Sequence, residues 1–407
     1  MDPLPNTPTK KRALRTILIG LVLLLVAYSL FTYSEPVAVL APSVALNTAN
    51  VQSTDNFPWP TNVSSEAAVT VNNAGVLATK GDQIPLPTAS TAKIMTALAV
   101  LNEKPLALGE QGPEITITGA DVTAYQADLA AGDSVVQVAT GEQLTEYQAL
   151  QALLLPSGDN IADLLANWAF GSVSAYTSFA NSYGLSLGMK ASHFADASGL
   201  SPQTVSTASD LVDLTSIAMS NPVFAQIVSQ SHATIPIAGE VSNVDNLIGQ
   251  NGIIGVKTGN TPQAGGCFVV AATEKLAGTP VTVLAAVMGA SDLDTALTEG
   301  QSIVQRAEET LRLTTVIHAG QKVGTYAAPW GETFHAVAVK SVSLPLWTGE
   351  VPQYRVSLTS TKVPLKSGRS LGTVGVTVGK TELSAKVGSG AAFTGPSWWW
   401  RFTHPRF

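Results

Sequence analysis

Three short segments, far apart in the chain, constrain its folding more than any other feature. Ser90-Thr91-Ala92-Lys93 opens a run with apolar residues at helical spacing, namely Ile94, Leu98 and Leu101 with Met95 beside them. Ser157-Gly158-Asp159 follows Pro156 at the end of a second apolar run, Tyr147–Leu155. Lys257-Thr258-Gly259 lies between two runs of β character, Gly252–Val256 and Cys267–Thr273. Gaps of 67 and 100 residues separate Ser90, Ser157 and Lys257. Taken singly, each segment has an ordinary role. Ser90 suits a helix N-cap, Lys93 a solvated helix face, Ser157-Gly158 a turn, and Lys257-Thr258-Gly259 a strand end. Taken together they supply a hydroxyl, an amine, a second hydroxyl and a second cation, which act jointly only if helix and strand meet in one α/β unit.

The chemistry explains the spacing. A hydroxyl nucleophile needs a base, and a residue three positions further along a helix lies one turn away on the same face. Ser90 and Lys93 meet that requirement. A lysine is a base only when neutral, so burial or a neighbouring cation must lower its pKa, and Lys257 is the expected cation. Ser157 is placed to relay a proton between Lys93 and a leaving amine. Lys257 and Thr258 suit a substrate carboxylate through charge-assisted hydrogen bonds, and Gly259 lets substrate approach the strand backbone closely.

At 407 residues the chain suggests two domains with appendages. Its net charge of −7 leaves no basic footprint for nucleic acid. A single cysteine, Cys267, excludes an intramolecular disulfide framework. The histidines at 193, 232, 318, 335 and 404 show no metal-ligand spacing. No metal or cofactor is implied.

Lys10, Lys11, Arg12 and Arg15 precede Thr16–Tyr33, an uncharged and largely apolar stretch of 18 residues. As a helix it reaches ~27 Å, close to a bilayer's hydrocarbon thickness. The basic flank should remain inside and send the remaining chain across. An uncleaved anchor is the preferred reading over a signal peptide cut near Ser43-Val44-Ala45, because the apolar run exceeds the usual ~7–15 residues. Residues 34–62, with four prolines, read as a stalk.

Beyond the stalk, Ala67–Val71 and Val76–Thr79 flank a hairpin turn at Asn72-Asn73-Ala74-Gly75. Ile161–Phe170 reads as a helix, Val281–Met288 as a strand and Asp294–Leu313 as a closing helix. After His318, short strands are expected at Val323–Tyr326, Ala336–Val342, Tyr354–Leu358 and Thr373–Val378, which together form a small all-β module. The tail, Trp398-Trp399-Trp400-Arg401-Phe402, suits either a bilayer interface or a packed terminal cover.

The set S-x-x-K, S-x-N-like and K-T-G resembles that of serine penicillin-recognising enzymes. The surrounding stretches narrow it to the D-alanyl-D-alanine carboxypeptidases of serine peptidase family S11, the low-molecular-mass penicillin-binding proteins. They are Pro87-Thr-Ala-Ser90-Thr-Ala-Lys93-Ile-Met-Thr96, Leu153-Leu-Leu-Pro-Ser157-Gly-Asp-Asn160, His193-Phe-Ala-Asp-Ala-Ser-Gly199-Leu200, Ser206-Thr-Ala-Ser-Asp210-Leu211, Gly255-Val-Lys257-Thr-Gly-Asn-Thr261, Ala264-Gly-Gly-Cys-Phe268 and Val287-Met-Gly-Ala290. The resemblance covers Val63–Leu313. Gly320-Gln-Lys-Val-Gly324 and Pro364-Leu-Lys-Ser-Gly368 faintly resemble the β-rich carboxy-terminal domain of the same family.

The resemblance implies an α/β penicillin-binding, β-lactamase-like transpeptidase fold over 63–313, followed by a small all-β domain over 316–395 and the aromatic tail 396–407. It implies that Ser90 attacks the carbonyl of the penultimate D-alanine of a peptidoglycan stem peptide, with Lys93 and Ser157 moving protons. Asp159, Asn160, Lys257, Thr258, Gly259 and Asn260 would contact substrate, and the backbone amides of Ser90 and Asn260 would form the oxyanion hole. β-Lactams would be covalent inhibitors. The implied location is the bacterial cytoplasmic membrane, with the catalytic domain outside. Two departures stand out: Asn260 follows the K-T-G segment, and Asp159 occupies a position where the family usually has Asn. A class A β-lactamase would share Ser90, Lys93 and Lys257 but needs a deacylating Glu, and no Glu occurs between Ser157 and Glu240. The remaining alternative is a membrane-tethered, non-catalytic peptidoglycan-binding protein.

Overall fold

A computed structural model describes residues 9–46, 57–71, 78–347, 352–378 and 381–405. The expected turn at Asn72–Gly75 and residues 47–56 of the expected stalk lie outside them. The site is built around a five-stranded antiparallel sheet, ordered Ile253–Thr261, Gly265–Leu276, Thr279–Ala290, Glu66–Val71 and Ala78–Lys80. Its strands are buried on both faces, and successive residues enter different cores with the period of two that a pleated strand imposes. Phe268, Val270 and Ala272 pack beneath the helix Leu293–Thr310. Cys267, Val269 and Ala271 face the helical layer on the other side.

That helical layer surrounds the helix Lys93–Glu103. An amphipathic helix would bury one stripe, whereas here every side chain from Lys93 to Leu101 is buried. Small residues make this possible: Ala97 and Ala99 let neighbours close in, and Thr96 donates to the Ala197 carbonyl at 2.7 Å while its hydroxyl meets that of Tyr176 at 2.8 Å. Glu146–Leu154, Asp159–Phe170, Val173–Ser186 and Ala208–Ala218 complete the layer. Glu146–Leu154 starts on a capping box, with Thr145 and Gln148 satisfying each other's backbone N–H groups.

The expected closing helix stops at Thr310, and Leu311–Ile317 is instead a strand paired with Val342–Trp347. The β-branched run Thr314-Thr315-Val316-Ile317 favours that outcome. The single strand expected over 336–342 divides into Thr333–Ala338 and Val342–Trp347. A six-stranded sheet, ordered Pro42–Val44, Lys322–Ala327, Thr333–Ala338, Thr381–Ser389, Ser370–Val378 and Gln353–Leu358, forms the carboxy-terminal β region around its own core.

Residues read as stalk thus supply an edge strand. Pro42–Val44 pairs with Tyr326–Gly324, and Leu40 exchanges backbone hydrogen bonds with Thr361 at 2.8 and 3.0 Å. Cleavage after Ala45 would remove this strand. The segment Lys11–Ser34 is a helix with an 18-residue window of mean hydropathy 2.3, long and apolar enough to cross a membrane. The tail is packed against the protein, one of its two expected roles. Trp398–Thr403 forms a short helix against the end of the apolar helix, with Trp398 Nε1 donating to Ser29 Oγ at 2.6 Å and Arg401 donating to the Tyr33 and Glu35 carbonyls. Trp400 packs edge-on against Trp330, whereas Trp398 and Trp399 remain 50% and 63% exposed.

Candidate active site

Ser90 lies in a 3₁₀ turn, Ala89–Ala92, that runs directly into the buried helix. Its hydroxyl does not cap the helix. Thr88 precedes the 3₁₀ turn and Ala92 the α-helix, neither with a side-chain cap, and Lys93 Nζ donates to Ser90 Oγ at 2.7 Å. Ala89, immediately before Ser90, has a φ of 46°, a left-handed conformation costly for a residue with a Cβ. Gly199 holds it there: a Cβ on Gly199 would stand 1.9 Å from the Ala89 carbonyl oxygen. Gly259 plays the matching part from the sheet, since its absent Cβ would lie 3.0 Å from both the Ser90 amide nitrogen and Ala89 Cβ. The strand of the third segment therefore passes against the turn of the first.

Lys93 is the hub. Besides Ser90 it reaches Asp159 Oδ1 at 2.5 Å, the Ser198 carbonyl at 3.1 Å and Ser157 Oγ at 3.4 Å. Its side chain is fully buried, and burial pulls its pKa below the ordinary lysine value against the upward pull of Asp159. Burial, one of the two causes expected from sequence, is the leading one. Lys257 is itself held down to about 7, by burial first and by Lys93 second. Burial likewise pushes Asp159 up, against the lowering influence of Lys93. Both members of this pair are thus displaced toward their neutral forms.

Ser157 occupies the junction between the helices Glu146–Leu154 and Asp159–Phe170 with a left-handed φ of 67°. Gly158, which follows it, admits no side chain, because a Cβ would lie 2.9 Å from Val136 and 3.0 Å from the Ala152 carbonyl. Asp159 and Asn160, expected to face substrate, both face protein. Asp159 Oδ2 accepts from the Ser134 amide at 3.0 Å, and Asn160 brackets Val136, accepting from its N–H and donating to its carbonyl at 2.9 Å each. Lys257 and Thr258 are buried, Lys257 Nζ donates to the Thr258 carbonyl at 3.1 Å, and Asn260 is exposed at the strand end. Ser90 is half-buried and gives solvent access to the group.

Sequence reasoning left out the Ser198 carbonyl, a fourth neighbour of Lys93. It is fixed by Asp196, which accepts from Ser198 Oγ, the Ser201 amide and Thr204 Oγ1. The stretch His193–Leu200 carried part of the family resemblance, and that was the available signal. No His, Cys, Asp or Glu grouping suited to a metal occurs among the described residues.

A serine whose hydroxyl meets a buried lysine one turn on, with a second serine and a second lysine behind it, is the arrangement of a serine acyl-transfer enzyme. The model of the D-alanyl-D-alanine carboxypeptidase family matches residues 52–292, and the chain belongs to that family of serine peptidases. It is similar to the D-alanyl-D-alanine carboxypeptidase DacB2 of Mycobacterium tuberculosis, 35% identical over 232 residues, covering 55% of this chain and 75% of the relative. A D-alanyl-D-alanine carboxypeptidase of a Streptomyces species is 32% identical over 215 residues, covering 48% and 72% respectively. Among solved structures, a Streptomyces DD-transpeptidase superposes with a TM-score of 0.54 at 28% identity, covering 61% of this chain and 98% of its own. Penicillin binding protein 5 of Haemophilus influenzae superposes with a TM-score of 0.61 over 83% of this chain and 99% of its own; at 19% identity it speaks to the fold alone, including the β region. The expected fold is the one found.

Proposed function

We propose that this enzyme removes the terminal D-alanine from peptidoglycan stem peptides through an acyl-enzyme on Ser90, and that β-lactams trap the same serine. The observation that carries the reading is the 2.7 Å contact between Lys93 Nζ and Ser90 Oγ inside a fully buried lysine environment. Neutral Lys93 takes the Ser90 proton as Oγ attacks the penultimate D-alanine carbonyl. The oxyanion that forms is met by backbone N–H groups at the Ser90 turn and the strand beyond Gly259. The proton then passes from Lys93 through Ser157 to the departing D-alanine amine, and water hydrolyses the ester. Lys257 and Thr258 receive the terminal carboxylate. The helix Lys11–Ser34 anchors the chain, with its basic flank in the cytoplasm and the catalytic domain outside.

The test is release of D-alanine from a peptide ending in D-Ala-D-Ala by the full-length protein in detergent. Wild type releases it and Ser90→Ala does not. Equal release by both would overturn the assignment.

A further inference from the structure

Between Val351 and Lys380 every charged residue is a cation: Arg355, Lys362, Lys366, Arg369 and Lys380 occur without an Asp or Glu, in a chain of net charge −7. Three of them, Lys362, Lys366 and Arg369, lie in the loop joining Gln353–Leu358 to Ser370–Val378 and line an open cleft of about 660 Å³. All three are exposed, and none is in an ion pair among the described residues. The loop backbone is nevertheless fixed. Thr361 is paired with Leu40, Leu365 with Phe393 at 2.8 and 2.9 Å, and Gly368 donates to the Ser389 carbonyl at 2.9 Å. Holding like charges on an ordered backbone without counter-charges keeps their mutual repulsion in place, and an anion relieves it.

The position of the loop indicates which anion. Leu40 lies six residues beyond Ser34, where the membrane-crossing helix ends, so Leu40 is within ~20 Å of that end and its bridge partner Thr361 within ~25 Å. Phe393 stacks on Trp330, Trp330 meets Trp400, and the Trp400 helix packs on the apolar helix through Tyr28 and Phe402 at 5.1 Å. A continuous set of contacts therefore joins the basic loop to the membrane end of the span, with the exposed Trp398 and Trp399 beside it.

We propose that Lys362, Lys366 and Arg369 form a binding site for the phosphate headgroups of anionic phospholipids, which seats the β domain on the membrane surface. The proposal rests on the anchor reading of Lys11–Ser34. Cations close to an anionic bilayer each favour binding about fivefold, and the effect fades with salt. The seat would fix the height of the β domain and hence of the Ser90 site above the membrane.

The test uses the full-length protein in lipid nanodiscs of phosphatidylcholine alone or with one lipid in three replaced by phosphatidylglycerol. Acetylation of Lys362 and Lys366 is followed by peptide mass spectrometry. The expected result is at least about fivefold slower modification in the anionic discs, reversed by high salt and weakened by Arg369→Gln. Acylation of Ser90 by penicillin should stay unchanged in every disc, which separates this proposal from the catalytic one. Equal modification in both discs would overturn the site. Equal protection by inorganic phosphate in phosphatidylcholine discs would overturn the lipid as its ligand, and a chain recovered outside the discs would overturn this proposal together with the anchor.

Discussion

Replacing Asp159 with Asn should make the enzyme faster near neutral pH. The carboxylate sits 2.5 Å from Lys93 Nζ, and both groups are buried. At an effective dielectric constant of about 20, two unit charges at that separation attract by about 6–7 kcal/mol. The desolvation of both groups outweighs this attraction, which is why Lys93 remains displaced downward and Asp159 upward. The carboxylate still pulls Lys93 upward relative to a neutral neighbour, and every ~1.4 kcal/mol of that pull means about a tenfold loss of neutral base. Asn is isosteric, can still accept from the Ser134 amide, and removes the charge that favours protonated Lys93. Lys93 is needed neutral, so activity falls as pH drops through its pKa, and removing a raising influence moves that acid limb to lower pH. The expected result for Asp159→Asn is an acylation rate by penicillin about tenfold or more above wild type near pH 7, measured by stopped-flow across pH. Stability supplies a second readout. A stranded buried charge costs about 3–5 kcal/mol, whereas a lysine that simply loses its proton costs much less, so denaturant unfolding should show only a small change. An unchanged rate and acid limb, or a loss of acylation, would refute the reasoning.

Other outcomes follow from the same geometry. Lys257→Ala should lower kcat/KM for a carboxylate-terminated peptide by about 10–100-fold through the lost charge-assisted hydrogen bond. With Lys257 held at about 7, wild-type kcat/KM should also decline as pH rises through that value and this ammonium is lost, a limb that Lys257→Ala removes; a limb persisting in the variant would contradict the assignment. Gly199→Ala should force the Ala89–Ser90 turn to move, costing about 1–3 kcal/mol in urea unfolding and most of the acylation rate; wild-type behaviour would show that the turn is not held there. Sequencing the native protein should find no amino terminus at Leu46, because a cut before it would remove the strand Pro42–Val44; finding one would make the apolar segment a cleaved signal.

The sequence made the catalytic centre legible because its chemistry is local. A serine and a lysine three residues apart on a helix meet by helical geometry alone, and the helical spacing from Ile94 to Leu101 announced that helix. What it concealed is long-range. The Ser198 carbonyl and Ser134 amide are backbone groups whose roles come from tertiary placement, and no residue type advertises them. Asp159 was visible as an unusual residue, but only the packed structure turns its carboxylate toward Lys93 rather than toward substrate. Asn160 faces away for a similar reason, with its amide satisfied by Val136. In the β region, the strands with clear alternation were readable, whereas Pro42–Val44 was hidden among prolines and Leu311–Ile317 continued an apparent helical run. Edge pairing to a distant sheet decided both.

The central claim is that Ser90 is the acylated nucleophile. The most direct measurement is peptide mass spectrometry of the full-length protein after incubation with penicillin. One covalent penicilloyl adduct is expected, on Ser90, absent from Ser90→Ala although that variant unfolds at the wild-type denaturant concentration. An adduct on another residue, or persistent labelling of the variant, would contradict it.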